Sequence, residues 1–313
     1  MIKIVYVHIG AGKTEYLTML RISVASVRKH MKDIEIVILT DAETGAYLEQ
    51  TALSGDSGVT IMPVDIPDGY NTVEKSRYLK TNMRELLRGD LLYIDSDTIV
   101  CEDISDTVPP ASVCMVKDEH CLLAEQEENG RPIKKAAHDR GLDLDNCTLY
   151  FNGGVALTKD DEDARLFYRK WFETWDAARK PNMHHDQFSL NHVNQELNII
   201  SELGGEWNCQ LTGTYRAFSY LRNVKVLHYL SAQPHGYYRL NDLEYLRMDL
   251  SDDEIDEIIS APEKQFLPFH AYSDDSDEYR IMQESHFHLI YRIYTRHRKL
   301  YNFGEKMLKI FRK

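Results

Sequence analysis

Leu91-Leu92-Tyr93-Ile94-Asp95-Ser96-Asp97-Thr98 is a run of large apolar residues that ends in two carboxylates one residue apart. Residues 90–94 read as a short buried strand. In extended backbone, side chains at i and i+2 project the same way, so Asp95 and Asp97 are expected to converge on one cation at the strand's open end. Carboxylate oxygens suit Mg²⁺ or Mn²⁺, and Mn²⁺ takes an added imidazole more readily. The same letters also spell an acidic turn at a solvated strand end, since short Asp-x-Asp matches are common.

Outward from this strand the chain alternates between periods of two and of 3.6. Upstream, residues 3–9 form an Ile- and Val-rich run, followed by Leu17, Leu20, Val24, Val27 and Met31 at spacings of three and four, a strand and then an amphipathic helix. Residues 35–40 and 59–66 read as further strands, and 72–87 as a helix presenting Leu79, Met83, Leu86 and Leu87. Downstream, 112–116 and 149–158 are strands separated by a polar stretch, 125–146, expected to be a long loop. Two helices follow, 160–179 with Ala164, Phe167, Trp171 and Trp175 on one face, and 186–197 with Phe188 and Val193. Residues 224–230 form the last strand, and 251–260 and the tail from His286 onward read as helical. Such alternation predicts an α/β, Rossmann-like fold, a mostly parallel sheet flanked by helices, with ligands beyond the strands' carboxyl ends. The expected division is a catalytic domain over 1–240 and a C-terminal helical extension over 241–313.

Composition narrows the function. A formal charge of −13 over 313 residues excludes nucleic acid as a favoured partner, because a phosphate backbone selects Lys and Arg. The charge is uneven: residues 291–313 carry eight Lys or Arg against one Glu, with Tyr, Ile, Leu and Phe between them. A basic amphipathic helix of this kind lies on anionic lipid or packs on its own domain with a solvated basic face. Five cysteines (Cys101, Cys114, Cys121, Cys147 and Cys209) form no CxxC pair and no disulfide framework, which fits a reducing cytoplasm. Residues 1–10 lack a signal-peptide core, and no window reaches the roughly 18 apolar residues of a membrane span. A cytoplasmic protein, at most peripheral on the membrane, is expected.

Three further motifs stand out. Tyr150-Phe151-Asn152-Gly153-Gly154-Val155 is a strand interrupted by small residues, which also reads as a simple bend. His185-Asp186-Gln187-Phe188-Ser189-Leu190-Asn191 opens a helix, where Asp186 also suits an N-cap. Val226-Leu227-His228-Tyr229 sets one imidazole in an apolar strand, a pattern equally typical of a core histidine. With the acidic pair, these motifs resemble, in order, those of the GT-A glycosyltransferases, specifically the family-8-like group that includes glycogenin and bacterial lipopolysaccharide galactosyltransferases.

The resemblance covers about residues 3–230 and implies a set of roles. Asp95, Asp97 and His228 would hold the Mn²⁺ or Mg²⁺, and Asp186 and Gln187 would contact the transferred sugar as catalytic residues. Asn152, Gly153 and Gly154 would face the donor sugar, as would Asp118, and Arg77 would lie near the donor, although surface ion pairs account for Arg77 and Asp118 equally well. The loop carrying His8, Ile9, Gly10 and Lys13 would hold the base, with Asp95 and Ser96 on the donor. The implied activity is transfer of a hexose from a UDP-sugar to a saccharide or lipid-linked acceptor, metal-dependent, with retention of anomeric configuration.

Departures from the family pattern are local. Where the family has Gly and then a diphosphate-gripping Lys after the His, this chain reads His228-Tyr229-Leu230-Ser231-Ala232-Gln233-Pro234-His235-Gly236, leaving His235 or Arg239 as candidates. The second acid of the family's DQ-D motif is Phe188. Three other readings compete. Gly10-Ala11-Gly12-Lys13-Thr14 suggests a P-loop NTPase, but the first Walker glycine is Val7. A sugar nucleotidyltransferase lacks its Arg-containing loop. A non-catalytic nucleotide-sugar-binding protein would tolerate Asp97→Asn. Acceptor recognition falls to the variable stretch 125–146.

Overall fold

The first half of the chain lays down four parallel strands, β1 (Lys3–Val7), β2 (Ile36–Thr40), β3 (Val59–Pro63) and β4 (Leu91–Ile94). In the computed structural model, which describes residues 2–12, 14–179, 185–210, 215–229, 250–260, 293 and 297–311, they stand side by side in the order β3-β2-β1-β4. The crossovers are α1 (Glu15–His30), α2 (Ala42–Leu48) and α3 (Thr72–Leu86). Helix α1 starts where the Thr14 hydroxyl accepts the Leu17 N–H, and α3 starts at a reciprocal cap between Asn71 and Glu74.

Alternation along β1 explains both layers. Ile4 and Tyr6 join the core under α1 with Leu20, Val24, Ile36 and Leu92, while Val5 joins the opposite core under α3 with Leu79, Met83, Leu91 and Tyr93. The second half of the chain adds β5 (Thr98–Val100), β6 (Val113–Lys117), β7 (Phe151–Thr158), β8 (Ile200–Glu202), β9 (Cys209–Gln210) and β10 (Val226–His228). Strand β7 inserts antiparallel between β4 and β6, giving a seven-stranded, mostly parallel sheet β3-β2-β1-β4-β7-β6-β8. A small second sheet runs β5-β10-β9. Helix α6 (Glu162–Ala178) buries Ala164, Phe167, Trp171 and Trp175, and α7 (Gln187–Leu197) packs beside it.

The stretch 125–146, expected as a loop, contains two short helices, α4 (Leu123–Glu128) and α5 (Ile133–His138). Leu123, Ile133, Ala137, Leu142 and Leu144 form a small core with Tyr150 and half-buried Phe188. Those apolar residues are too sparse among charges to register as a period, and the helices are held by packing on one another, Tyr150 and Phe188. The domain boundary expected at 240/241 lies outside the described residues, as do most of 261–296. The described remainder is helical over 252–260 and Arg298–Phe311.

Buried Arg84 ties the frame together below the carboxyl edge. Its guanidinium donates to the carbonyls of Leu87 (3.0 Å), Gly89 (2.8 Å) and Lys159 (3.1 Å), joining the end of α3 to the start of β4 and the end of β7. Arg84→Ala strands those buried and half-buried carbonyls and is expected to lower stability by about 3 kcal/mol in urea unfolding. A loss under about 0.5 kcal/mol, the usual surface value, would contradict this role.

Candidate active site

Strand β4 ends at Ile94 and β5 begins at Thr98, so Asp95-Ser96-Asp97 is the joint between the two sheets. It is a bend, not the extended backbone expected. Convergence of the carboxylates comes from what is paired on either side. On one side β7 runs antiparallel to β4, with Ile94 opposite Val155, and the Asp95 N–H donates to the Gly154 carbonyl (2.8 Å). On the other side β10 runs antiparallel to β5, with His228 opposite Thr98, and the Tyr229 N–H donates to the Asp97 carbonyl (3.1 Å).

Asp95, Asp97 and His228 thereby offer ligand atoms that all lie within 4.8 Å of one another. Buried His228 Nε2 is 3.3 Å from Asp97 Oδ1 and makes no aligned hydrogen bond. Two carboxylates and an imidazole suit a divalent cation, and a buried ring nitrogen that faces a carboxylate without an aligned hydrogen bond fits that use. Burial opposes a charged imidazole, but Asp97 and Asp95 outweigh it and raise the His228 pKa. Gly154 is required sterically: a Cβ there would stand 2.4 Å from His228 Cε1 and 2.9 Å from Asp95 Oδ2.

Next to this group lies a second charged cluster. Lys80, only 5% exposed, has its ammonium 3.3 Å from Asp95 Oδ1 and 3.7 Å from Asp186 Oδ2. Arg77, one turn earlier on α3, reaches Asp186 Oδ1 at 3.1 Å. The Tyr93 hydroxyl donates to Asp95 Oδ1. Asp186 precedes α7 but its side chain does not cap the helix, which frees the carboxylate for Arg77 and Lys80. Burial alone would raise the Asp186 pKa; Lys80 and Arg77 outweigh it, so the carboxyl is held below its usual value and stays ionised. The Trp171 indole N–H donates to the Asp186 carbonyl (3.0 Å) and fixes the helix start.

A third group extends from β7. Asn152 Nδ2 donates to Asp118 Oδ1 (2.9 Å), and Arg131, from the segment linking α4 and α5, donates to Asp118 Oδ2 (3.1 Å). Gln126 of α4 donates to the Asp118 carbonyl (2.9 Å), so the helical insertion is pinned to the site at two points. Just beyond, Glu119 and His120 adopt φ of 52° and 55°, a left-handed turn uncommon in non-glycine residues and a mark of a constrained site edge.

The structure thus brings together eight of the residues singled out in the sequence: Arg77, Asp95, Asp97, Asp118, Asn152, Gly154, Asp186 and His228. Ser96 lies in the bend, and Gly153 backs onto Leu190 and Lys80. Half-buried Gln187 opens α7. His8, Ile9 and Gly10 leave β1 at the same carboxyl edge, because β1 and β4 are parallel neighbours. Burial lowers the His8 pKa to about 4, so its ring is neutral, and its Nε2 has no hydrogen-bond partner among the described residues. The Gly10 N–H donates to the Thr44 hydroxyl (2.9 Å). Lys13, His235 and Arg239 lie outside the described residues. Lys80, Tyr93, Asn208 and Arg131 were not foreseen. Two of them left a signal: Lys80 is a cation on the face that carries Leu79 and Met83, and Tyr93 stands two residues before Asp95 in the apolar run that leads to it.

Comparison with known proteins bears on the fold and the family. The sequence model described as "Glycosyl transferase family 8" matches residues 9–233. No curated protein sequence matches the chain. Among solved structures, the galactosyltransferase LgtC in complex with donor and acceptor sugar analogues is similar with a TM-score of 0.51 and 16% identity, over 80% of this chain and 98% of LgtC. The glycosyltransferase GlyE of Streptococcus pneumoniae TIGR4 is similar with a TM-score of 0.52 and 17% identity, over 85% of this chain and 64% of GlyE. At such identities the likeness is one of fold, the GT-A arrangement of sheet and helices.

Proposed function

Because the chain belongs to glycosyl transferase family 8, a family of nucleotide-sugar glycosyltransferases, we propose that it moves a hexose from a UDP-sugar to a saccharide or lipid-linked acceptor, with a divalent cation, Mn²⁺ or Mg²⁺, and with retention of configuration. The observation that carries the reading is the convergence of Asp95, Asp97 and His228 beside the Asp186–Lys80–Arg77 cluster. When bound to those three side chains, the cation supplies positive charge against the negative charge that develops on a departing diphosphate.

The protein's own groups account for the rest. Asp186, kept ionised by Lys80 and Arg77, is a fixed negative charge that supports a sugar carbon becoming cationic. Its environment is set before substrate arrives, so no reorganisation is needed during reaction. The Asp118 carboxylate and the second Asn152 Nδ2 hydrogen, held in place by the bond between the two residues and by Arg131, suit sugar hydroxyls. Neutral His8 with its unpartnered Nε2 suits a nucleobase edge, which asks for a hydrogen bond without charge. The insertion carrying α4 and α5, pinned to Asp118, is the candidate acceptor wall. A panel of nucleotide sugars with Mn²⁺, read as released nucleoside diphosphate with and without chelator, tests the proposal. Activity with UDP-sugars that disappears with chelator supports it; chelator-resistant transfer sinks the metal role.

The membrane contact rests on the helix Arg298–Phe311. It exposes Leu300, Phe303 and Met307, one face at helical spacing, beside Arg298, Lys299 and Lys306. The Leu300→Ser/Phe303→Ser double variant is expected to lose sedimentation with anionic vesicles while keeping its far-ultraviolet dichroism. Unchanged sedimentation would remove the membrane contact from the reading.

A further inference from the structure

Which nitrogen of His228 faces the two carboxylates as a free lone pair is decided by a chain of side-chain amides behind the ring. Its far end is unambiguous. Asp118 is a carboxylate, already receiving Arg131, and accepts only; the Gly154 backbone N–H donates only. Asn152 stands between them, so its Nδ2 must point at Asp118 Oδ1 (2.9 Å) and its Oδ1 must receive the Gly154 N–H (2.8 Å). Asn208 approaches that same Oδ1 at 3.0 Å and must present its own Nδ2 to it. Asn208 Oδ1 is then left facing His228 Nδ1 at 2.9 Å, and an amide oxygen accepts. His228 Nδ1 therefore carries the proton, and Nε2 is the nitrogen turned to Asp97.

We propose that Asn208 is a positioning residue whose amide, oriented through Asn152 by Asp118, fixes His228 in the Nδ1–H tautomer and so presents Nε2 as the ligand atom beside Asp95 and Asp97. The proposal rests on the reading of those three residues as a cation site. The relay is dry and rigid: Asn208 is 0% exposed, His228 2%, Asp118 6% and Asn152 7%. Partners of this kind hold ring orientation and ligand basicity at metal sites, and their loss costs roughly 10–100-fold in metal affinity. It also couples distant parts of the chain: Arg131 in the helical insertion and His228 in β10 sit at the two ends of one line of hydrogen bonds.

The test uses the full chain with ¹⁵N-labelled histidine. Long-range ¹H–¹⁵N spectra are recorded without metal, at a pH above the His228 titration, and its signals are assigned by their loss in His228→Gln. The wild type is expected to show a protonated, pyrrole-type Nδ1 and a pyridine-type Nε2. Asn208→Ala should lose that pattern and weaken Mn²⁺ binding, followed by the Mn²⁺ electron paramagnetic resonance signal, by roughly 10–100-fold. Asn208→Asp still accepts from Nδ1 and should keep the proton there although it loses the donation to Asn152 Oδ1, which separates tautomer control from general damage, and the wild-type spectrum by itself decides the tautomer if Asn208→Ala does not fold. A wild-type proton on Nε2, or an unchanged pattern in Asn208→Ala, overturns the proposal. Unchanged Mn²⁺ affinity in His228→Gln instead overturns the cation-site reading, and the spectra still decide the tautomer.

Discussion

Asp97→Asn is expected to lower the rate of sugar transfer by about three orders of magnitude with little loss of stability. Stabilising charge on a departing diphosphate is worth several kcal/mol, and about 4 kcal/mol corresponds to roughly 10³ in rate. Asp97 is one of two carboxylates in the proposed cation site, and the amide keeps its shape but not its charge. The backbone of the bend does not depend on that charge. What holds the bend in place is backbone pairing, from the Tyr229 N–H to the Asp97 carbonyl and from the Asp95 N–H to the Gly154 carbonyl, and neither bond involves the side chain. The measurement is single-turnover release of nucleoside diphosphate together with thermal unfolding of both proteins. A variant that keeps more than a tenth of the wild-type rate would rule out the role given to Asp97.

Lys80→Met carries the second large effect, and it acts on both clusters at once. Lys80 is the cation shared by Asp95 and Asp186, at 3.3 and 3.7 Å, and methionine keeps most of the stem's packing while removing the charge. The rate is expected to fall about 100-fold, on the order of 2.7 kcal/mol. Stability should fall by about 3 kcal/mol, since a buried carboxylate is left short of a partner, although Arg77 remains on Asp186. The sign of the pH effect follows from the same contacts. Lys80 and Arg77 hold the Asp186 carboxyl below its ordinary value, so removing Lys80 raises it. The acid limb of the rate profile then moves to higher pH, because Asp186 takes up its proton sooner. Rate profiles measured well below the unfolding temperature distinguish this from instability, and an acid limb that stays in place would show that Asp186 does not depend on Lys80.

Much of the site was legible because its chemistry is spelled locally. The acidic pair, Asn152-Gly153-Gly154, Asp186-Gln187 and His228 stand in motifs that resemble those of a known family, and hydrophobic period placed the motifs on strands and at a helix start. Geometry, and not the local sequence, bears on the plain alternatives. Asp186 stands at a helix start yet caps nothing, and His228 is buried in an apolar strand yet turns Nε2 to Asp97. The helices of the insertion were missed because six-residue helices among charges carry no readable period and are stable only when docked. Strands β5 and β9, three and two residues long, are likewise too short for alternation to mean anything.

The sequence by itself determined the class of fold and the order of the principal elements, because burial period and end-capping chemistry are written in neighbouring residues. Tertiary structure alone decided that a second small sheet sets His228 opposite Thr98, that Lys80 is the cation between two carboxylates, and that Asn208 stands behind the imidazole. Those are contacts between residues up to 130 positions apart. Strand register and helix docking fix them, and no local pattern records either.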